Sequence, residues 1–293
     1  MEIAAHAKIN LSLDVLRKRA DGYHDLRMIM QTVELYDTVL LSETKSGISM
    51  ECSSRWVPQD GTNIAWKAAE LLMDKKGIKS GVSIKIIKRI PVAAGLAGGS
   101  TDAAAVLRGM NGLFSLGLDE DELKDLGKQI GADVPYCIRG GTRLAEGIGE
   151  KLTDLEDFNG VDIVLVKPNM GVSTAWVYQN LNISEIRQND RPDTGLLIKA
   201  LMKRDIKGVS HNLRNVLEKV TIPRYGIIQE AKDRLIELGA LGSMMSGSGP
   251  AVFGIFSDSS TAAVAYGSLT KDRRWQCFCV KTSGAMKSIK GDA

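Results

Sequence analysis

The segment Pro91-Val-Ala-Ala-Gly-Leu-Ala-Gly-Gly-Ser-Thr101 decides the fold of this chain. It lies between an alternating apolar run, residues 82–88, and an alanine-rich run, residues 102–110. A strand, a glycine loop and a helix in this order direct unpaired backbone N–H groups towards an anion. Because glycine has no Cβ, a phosphate can approach this backbone closely. We therefore expect a triphosphate to bind the loop residues, which are Pro91, Val92, Ala93, Ala94, Gly95, Leu96, Ala97, Gly98, Gly99, Ser100 and Thr101.

The loop does not match either of two common nucleotide-binding fingerprints. A P-loop requires a lysine directly after its last glycine, and none follows Gly98 or Gly99. The glycine spacing also differs from the G-x-G-x-x-G of dinucleotide-binding folds. The alternative is an ordinary glycine-rich turn that binds nothing. Three glycines followed by the hydroxyls of Ser100 and Thr101, either of which can cap the helix, favour phosphate binding.

The composition is that of an ordinary globular protein, with 44% hydrophobic and 25% charged residues in a chain of 293. This length predicts two domains or one large domain. The net charge of +3 is too small, and the basic residues are too scattered, to indicate nucleic-acid binding. The first residues lack the pattern of a secretory signal, and no apolar stretch approaches a membrane span. We therefore expect a cytoplasmic protein, either a monomer or a homodimer.

Cysteine and histidine spacing gives no indication of a structural metal site. The four cysteines contain no C-x-x-C pair, and the three histidines contain no H-x-x-x-H pair. Reduced thiols without a structural zinc are therefore the expectation.

The secondary-structure pattern indicates an α+β fold in two lobes, because strands and helices mix without a fixed repeat. Residues 5–15 alternate between apolar and polar side chains, which predicts a strand with one buried face. The other face carries Lys8, Asn10 and Ser12, and it is either a functional site or an ordinary solvent-exposed face. Further along, Pro135 is expected to keep residues 132–135 in a loop, because proline disfavours the α region for the preceding residue.

Three motifs, in this order, resemble those of the GHMP kinases, the superfamily of galactokinase, homoserine kinase, mevalonate kinase and phosphomevalonate kinase. They are Lys8-Ile-Asn10-Leu11 in the first strand, the glycine loop, and Ser246-Gly-Ser-Gly-Pro250. The segments Arg19-Ala-Asp-Gly-Tyr-His24 and Gly131-Ala-Asp-Val-Pro-Tyr-Cys137 resemble one branch, the 4-diphosphocytidyl-2-C-methyl-D-erythritol kinases. Ala97 stands where that branch usually has glycine, and its methyl group is tolerable if residue 97 keeps a negative φ.

The resemblance implies an active site in the cleft between two lobes. Residues 1–155 would form a lobe like ribosomal protein S5 domain 2, and residues 156–293 a ferredoxin-like lobe. ATP and Mg²⁺ are the implied cofactors, with Ser100 or Thr101 as possible contacts of the metal. The γ-phosphate would pass to the 2-hydroxyl of the cytidyl-diphosphate methylerythritol, in the non-mevalonate pathway to isoprenoid precursors.

By the same resemblance, Lys8 and Asp133 form the catalytic pair. Asp133 would accept the proton of the attacking hydroxyl, while Lys8 would keep Asp133 ionised and orient that hydroxyl. The implied substrate-binding residues are Asn10 for the hydroxyls or phosphates, Tyr23 and His24 for the cytosine, and Tyr178 for the opposite face of the base. Asp102, at the start of the helix, is interpreted as a charge that serves only stability.

Two other functions remain open at this point. The chain could be a GHMP kinase for another alcohol, such as homoserine or a mevalonate derivative, although those substrates have no base to stack on Tyr23 and His24. It could instead be a nucleotide-binding regulator that has lost turnover, which the presence of both Lys8 and Asp133 argues against. Turnover with a panel of alcohols distinguishes the three functions.

Overall fold

Within residues 1–286, the part of the chain that the structure describes, eleven strands join in one sheet. The structure is a computed structural model. The strands are β1 (Glu2–Lys18), β2 (His24–Thr44), β3 (Ile48–Cys52), β4 (Gly81–Ile87), β5 (Thr142–Gly147), β6 (Lys151–Asp154), β7 (Asp162–Pro168), β8 (Arg214–Asn215), β9 (Gly242–Met245), β10 (Val252–Phe256) and β11 (Trp275–Ser283). The helices are α1 (Ile64–Lys76), α2 (Gly98–Leu113), α3 (Glu120–Lys128), α4 (Val134–Arg139), α5 (Thr174–Gln179), α6 (Thr194–Met202), α7 (Ile206–His211), α8 (Glu218–Arg224), α9 (Ile227–Glu237) and α10 (Ser259–Leu269).

The long strand β2 organises the first half of the sheet. It pairs antiparallel with β1, β4 and β5, and near Val33 it also pairs with β11. β11 pairs along most of its length with β7, whose other neighbour is β10. β11 therefore joins the strands of the first half of the chain to those of the second.

The strand β1 has the predicted alternation, but both of its faces are buried. Lys8, Asn10 and Ser12 are almost completely covered, so the solvent-exposed alternative for this face is wrong. The pairing with β2 shifts register between residues 6 and 8 and again between residues 10 and 12. The apolar side chains change cores at these shifts, with Ala5, Leu13 and Val15 in one core and Ala7, Ile9 and Leu11 in the other. Bulges of this kind redirect side chains, and here they give β1 contacts in both halves of the molecule.

The helix α2 packs closely because its buried residues are small. Ala103, Ala104 and Ala105 are fully buried, and Gly109 lies where a Cβ would be 2.5 Å from Leu41 Cδ1. Larger side chains at these positions would push the helix away from the sheet. The glycine loop, which leads directly into α2, is therefore held at a fixed distance from β1.

The segment before Pro135 differs from its prediction as a loop, because Val134 is the first residue of α4. Proline is tolerated in the first turn of a helix, where its missing N–H has no partner to lose. Asp133 occupies the N-cap position, with φ −84° and ψ −13°, and its side chain makes no capping hydrogen bond. The carboxylate of Asp133 is thus left available for other contacts.

The predicted boundary between residues 155 and 156 falls between β6 and β7. Two later strands cross it, because β8 pairs with β1 and β11 pairs with β2. The division of the chain at this point stays a prediction, and residues 287–293 of the second predicted lobe lie outside the described residues. Among residues 1–286, no helix combines the length and the apolar character needed to cross a membrane.

Candidate active site

One cleft of about 830 Å³ collects nearly all of the predicted site residues. Its volume is in the range typical of small-molecule sites. The predicted residues that line it are Lys8, Asn10, Tyr23, His24, residues 91–100 of the glycine loop, Asp133 and Tyr178. Thr101 does not line the cleft, because its buried hydroxyl donates to His6 O over 2.7 Å. The sequence motifs thus converge although they are far apart along the chain.

The N-terminus of α2 opens into the cleft without a side-chain cap. The N-cap residue is Ala97, and within residues 1–286 no side chain bonds to the first turn, so the capping expected of Ser100 or Thr101 is wrong. The first backbone N–H groups of a helix have no intrahelical partner, and with the helix dipole they favour a negatively charged ligand. The uncapped first turn of α2 is therefore suited to a phosphate group.

Ala97 has a positive φ of +59°, not the negative φ under which its methyl group is tolerable. In this left-handed conformation a Cβ is strained by about 1–2 kcal/mol. The loop must turn sharply here because residue 97 is followed at once by the first turn of α2.

We predict that Ala97→Gly raises the free energy of unfolding by about 0.5–1 kcal/mol. Relief of the strain outweighs the added flexibility of glycine in the unfolded chain, which costs about 0.4–1 kcal/mol. Urea denaturation measures the change. Ala94→Gly is the matched control, since Ala94 is buried in the same loop and its replacement should be destabilising. Equal destabilisation by the two variants would contradict the strain at residue 97.

The three motifs meet at one carbonyl oxygen, that of Gly95. Lys8 Nζ donates to it over 3.1 Å and Ser246 Oγ over 3.0 Å. Gly95 has φ +77°, and a Cβ there would lie 2.2 Å from Ser246 O, so only glycine fits. The contact between the glycine loop and the Ser246–Pro250 segment therefore fixes where Lys8 points.

Asn215, in β8, is a residue of the site region that the sequence did not indicate. Its buried amide donates to Met245 O over 2.9 Å and to Gly247 O over 2.8 Å. Its own oxygen accepts from Leu217 N. Asn215 thus holds the Ser246–Pro250 segment in shape. A single asparagine in a polar stretch carries no sequence signal of such a long-range role.

Lys8 and Asp133 face the same cleft without forming an ion pair. Burial lowers the pKa of Lys8, while the charges of Asp133 and Cys137 oppose this effect. Within residues 1–286, Asp133 makes no side-chain hydrogen bond or ion pair. Lys8 Nζ is also bonded to Asn10 Oδ1 over 2.7 Å, so two of its three protons are used. The geometry leaves a space between a cation and a carboxylate, which suits a hydroxyl group and a phosphate.

The aromatic end of the cleft is formed by Tyr23, His24 and Tyr178. Tyr23 is 60% exposed, so its ring is accessible to a ligand. The rings of His24 and Tyr178 are in contact, with centroids 5.2 Å apart and planes tilted by 31°. Burial, and then the charge of Lys18, lower the pKa of His24 and favour its neutral form. A base cannot lie between His24 and Tyr178 in this arrangement, so the space beside Tyr23 is the accessible stacking surface.

A further part of the cleft lies beside the start of α1. Trp56, Pro58, Asn63 and Ile64 line it, and a Cβ at Gly99 would touch Ile64 Cδ1 at 3.4 Å. Ile64 therefore adjoins the phosphate-binding turn of the loop.

Two parts of the chain match models of one protein family. Residues 63–141 match the family model of the GHMP kinases N terminal domain, and residues 197–272 match that of the GHMP kinases C terminal. A 4-diphosphocytidyl-2-C-methyl-D-erythritol kinase from Acetivibrio thermocellus is 60% identical, over 96% of this chain and 99% of its own. A kinase of the same name from Clostridium botulinum is 51% identical, over 95% of this chain and 98% of its own.

The chain belongs to the 4-diphosphocytidyl-2-C-methyl-D-erythritol kinases, a GHMP kinase family. It is therefore an ATP-using kinase. A crystal structure of 4-(cytidine 5'-diphospho)-2C-methyl-D-erythritol kinase superposes with a TM-score of 0.82 at 32% identity, covering 97% of this chain and 100% of that one. A homoserine kinase from Cytophaga hutchinsonii superposes with a TM-score of 0.74 at 18% identity, covering 97% of this chain and 96% of that one. At this identity the likeness shows the fold alone. The predicted α+β GHMP kinase fold is confirmed.

Proposed function

We propose that this kinase transfers the γ-phosphoryl group of ATP to the 2-hydroxyl of 4-diphosphocytidyl-2-C-methyl-D-erythritol, in the non-mevalonate route to isoprenoid precursors. The observation that carries the proposal is that one cleft brings these features together. The uncapped N-terminus of α2, the Lys8–Asp133 pair and the exposed aromatic side chains of Tyr23 and Trp56 all line it. Relatives of this name, at 50–60% identity over nearly the whole chain, support it.

The glycine loop binds the phosphates of ATP in this proposal. The free N–H groups at the start of α2 donate to phosphate oxygens, and the helix dipole favours their negative charge. The adenosine then lies beside Trp56 and Asn63, because the cytidine occupies the aromatic end. This arrangement directs the γ-phosphate towards Lys8.

Asp133 acts as the general base in the proposed mechanism, and Lys8 positions the reacting groups. The 2-hydroxyl lies between them, donates its proton to Asp133 and attacks the γ-phosphorus. Lys8 directs its remaining N–H to a γ-phosphate oxygen and reduces the charge that develops there. A tertiary alcohol is a poor nucleophile, so most of the rate comes from alignment and electrostatic preorganisation. Asn10, whose oxygen accepts from Lys8, keeps that lysine in place.

The proposed Mg²⁺ suits the oxygen ligands of the cleft. Mg²⁺ is usually held by one or two carboxylates together with substrate phosphates and water. Ser100 lines the cleft in the first turn of α2, and its hydroxyl oxygen would fit beside the phosphates as a contact of the ion. The ion would neutralise charge on the phosphates of ATP when bound.

The direct test is release of ADP from Mg-ATP with a panel of alcohols. The panel contains the cytidyl substrate, homoserine and mevalonate, with Asp133→Asn as the inactive reference. We expect turnover with the cytidyl substrate only. Faster turnover with homoserine or mevalonate would contradict the proposed substrate, and binding of nucleotide without any turnover would indicate a regulator.

We predict opposite effects for Tyr23→Ala and Trp56→Ala, two residues that line the cleft. Loss of stacking on cytosine, worth about 1–3 kcal/mol, should raise the KM for the cytidyl substrate about tenfold in Tyr23→Ala. Its KM for ATP should change less than about twofold. Trp56 is 72% exposed. The variant Trp56→Ala should raise the KM for ATP and leave the KM for the cytidyl substrate nearly unchanged. Initial rates with each substrate varied in turn measure both values, and equal losses for both substrates in either variant would refute the assignment of the two surfaces.

A further inference from the structure

Tyr136 is a large buried side chain that the proposed mechanism does not use. It lies in α4, three residues after Asp133, and is 1% exposed. Its hydroxyl donates to Gly141 O over 2.7 Å. Burial raises the pKa of Tyr136, so the hydroxyl keeps its proton and remains a donor. Tyr136 therefore ties α4 to the chain that follows it by a hydrogen bond as well as by packing.

Thr32 of β2 completes a ring of hydrogen bonds with Tyr136 and Gly141. The hydroxyl oxygens of Thr32 and Tyr136 are 3.0 Å apart. Since Tyr136 gives its only proton to Gly141 O, Thr32 is the donor in this bond. Gly141 N in turn donates to Thr32 Oγ1 over 2.9 Å, and Thr32 N donates to Gly141 O over 3.1 Å. We call Thr32, Tyr136 and Gly141 the hydroxyl network.

The hydroxyl network requires the chain after α4 to approach β2 closely. Gly140 has a φ of +67°, and a Cβ there would lie 3.1 Å from Thr32 Oγ1. Thr32 is itself 1% exposed, so the network is closed to water. Each N–H and O–H group within it has an acceptor, and a satisfied buried network holds its members in one arrangement.

The hydroxyl network joins the two elements that carry the proposed catalytic pair. Thr32 lies directly opposite Lys8 in the antiparallel pairing of β2 with β1. Tyr136 lies in the same turn of α4 as Asp133, whose carbonyl oxygen accepts from Cys137 N over 3.0 Å. The connection from Lys8 to Asp133 therefore passes through one strand pair, two hydroxyl groups and one helical turn.

Neither Thr32 nor Tyr136 lines the cleft, so neither can touch a substrate there. Asp133 makes no side-chain hydrogen bond or ion pair within residues 1–286. The place of its carboxylate therefore depends on how α4 is held, and the hydroxyl network is one of the contacts that hold it.

We propose that Tyr136 and Thr32 are positioning residues of this kinase, which set the distance between Lys8 and Asp133 through the hydroxyl network. The inference rests on the proposed function for the roles of Lys8 and Asp133. A misplacement of about 1 Å can cost about a hundredfold in rate. Loss of either hydroxyl should therefore lower kcat, while the KM values of the two substrates, which bind to other residues, change little.

The first test removes one hydroxyl at a time and keeps the shape of the side chain. Tyr136→Phe and Thr32→Val should each lower kcat about tenfold, with both KM values within about twofold of wild type. Thr32→Ser keeps the hydroxyl and should keep kcat within about twofold of wild type. Initial rates with each substrate varied in turn measure these values. Wild-type kcat in Tyr136→Phe, or equal losses in Thr32→Ser and Thr32→Val, would overturn the proposal.

Thr142→Val is the matched control for the loss of buried hydrogen bonds. Thr142 is a fully buried threonine of β5. Its hydroxyl donates to Gln31 Oε1 over 2.6 Å and accepts from Phe158 N over 2.9 Å, so the variant loses two buried bonds but none to α4. Thermal melts should show a lower Tm, while kcat should stay within about twofold of wild type. A fall in kcat as large as that of Tyr136→Phe would indicate a general effect of weakened folding and overturn the proposal.

The second test combines Tyr136→Phe with Asp133→Asn. If Tyr136 acts through Asp133, its hydroxyl should matter little once the carboxylate is gone, so the double variant should turn over within about twofold of Asp133→Asn alone. A further tenfold fall in the double variant would show that Tyr136 acts by another route and overturn the proposal. Wild-type turnover in Asp133→Asn would contradict the proposed role of Asp133, whereas lost turnover in Asp133→Asn with wild-type kcat in Tyr136→Phe would overturn this inference alone.

Discussion

Asp133→Asn is expected to lower kcat about a thousandfold while the KM for ATP changes little. A general base contributes about 10²–10⁴ in rate, and the amide has the same shape but cannot accept the proton. The free energy of unfolding should change little, because the Asp133 side chain makes no capping hydrogen bond to α4. The effect should therefore appear in turnover and not in stability.

Single-turnover measurements with saturating ATP test this expectation. Asp119→Asn is the matched control, since Asp119 is an exposed N-cap aspartate of α3 and asparagine caps helices equally well. The control should keep wild-type turnover and stability. Turnover within about tenfold of wild type in Asp133→Asn would show that residue 133 positions the hydroxyl without acting as its base.

Gly95→Ala is expected to damage both folding and catalysis. The new Cβ would lie 2.2 Å from Ser246 O, closer than any real contact, so the loop and the Ser246–Pro250 segment must separate. Overpacking of this kind costs about 1–3 kcal/mol, beyond the strain of a positive φ. Since Lys8 donates to the Gly95 carbonyl, its ammonium group should be displaced as well. We expect kcat/KM to fall by about a hundredfold or more.

Gly117→Ala isolates the contact from the backbone strain. Gly117 has a similar φ, +67°, but a Cβ there would meet nothing within 4 Å. Both variants should therefore lose about 1 kcal/mol from strain, and only Gly95→Ala should lose more. Urea denaturation gives the difference in unfolding free energy, and initial rates give kcat/KM. Equal stability losses with wild-type activity in both would contradict the role of this contact.

The sequence predicted those parts of the site that depend on local pattern. The strand, glycine loop and helix around residue 95 follow from periodicity and glycine positions, and α2 does begin at Gly98. The polar residues of β1 were located correctly, but alternation alone could not tell a buried polar face from an exposed one. That distinction depends on the glycine loop, which packs against Lys8 from 87 residues away in sequence.

The features that the sequence did not predict depend on distant contacts. Lys88 forms buried ion pairs with Asp37 and Asp102, so Asp102 is more than the helix-terminal charge expected of it. These three residues come from separate segments, and no local pattern identifies Lys88 as different from other lysines of the chain. Ala97 adopts a positive φ because the loop turns sharply into α2 at this residue, although alanine itself disfavours that conformation. At Val134 the local rule for residues before proline was outweighed by the start of a helix.

The position of β11 has a consequence for the order in which the protein assembles during synthesis. Thr282 and Ser283 pair with residues of β2 that are synthesised about 250 residues earlier. Until then, β2 lacks a neighbour, and β7 lacks the strand that connects it to the first half of the sheet. Truncation before residue 275 removes β11 and should therefore leave β7 without the strand that joins it to β2. β7 and β2 are therefore joined only after residue 283 has been synthesised.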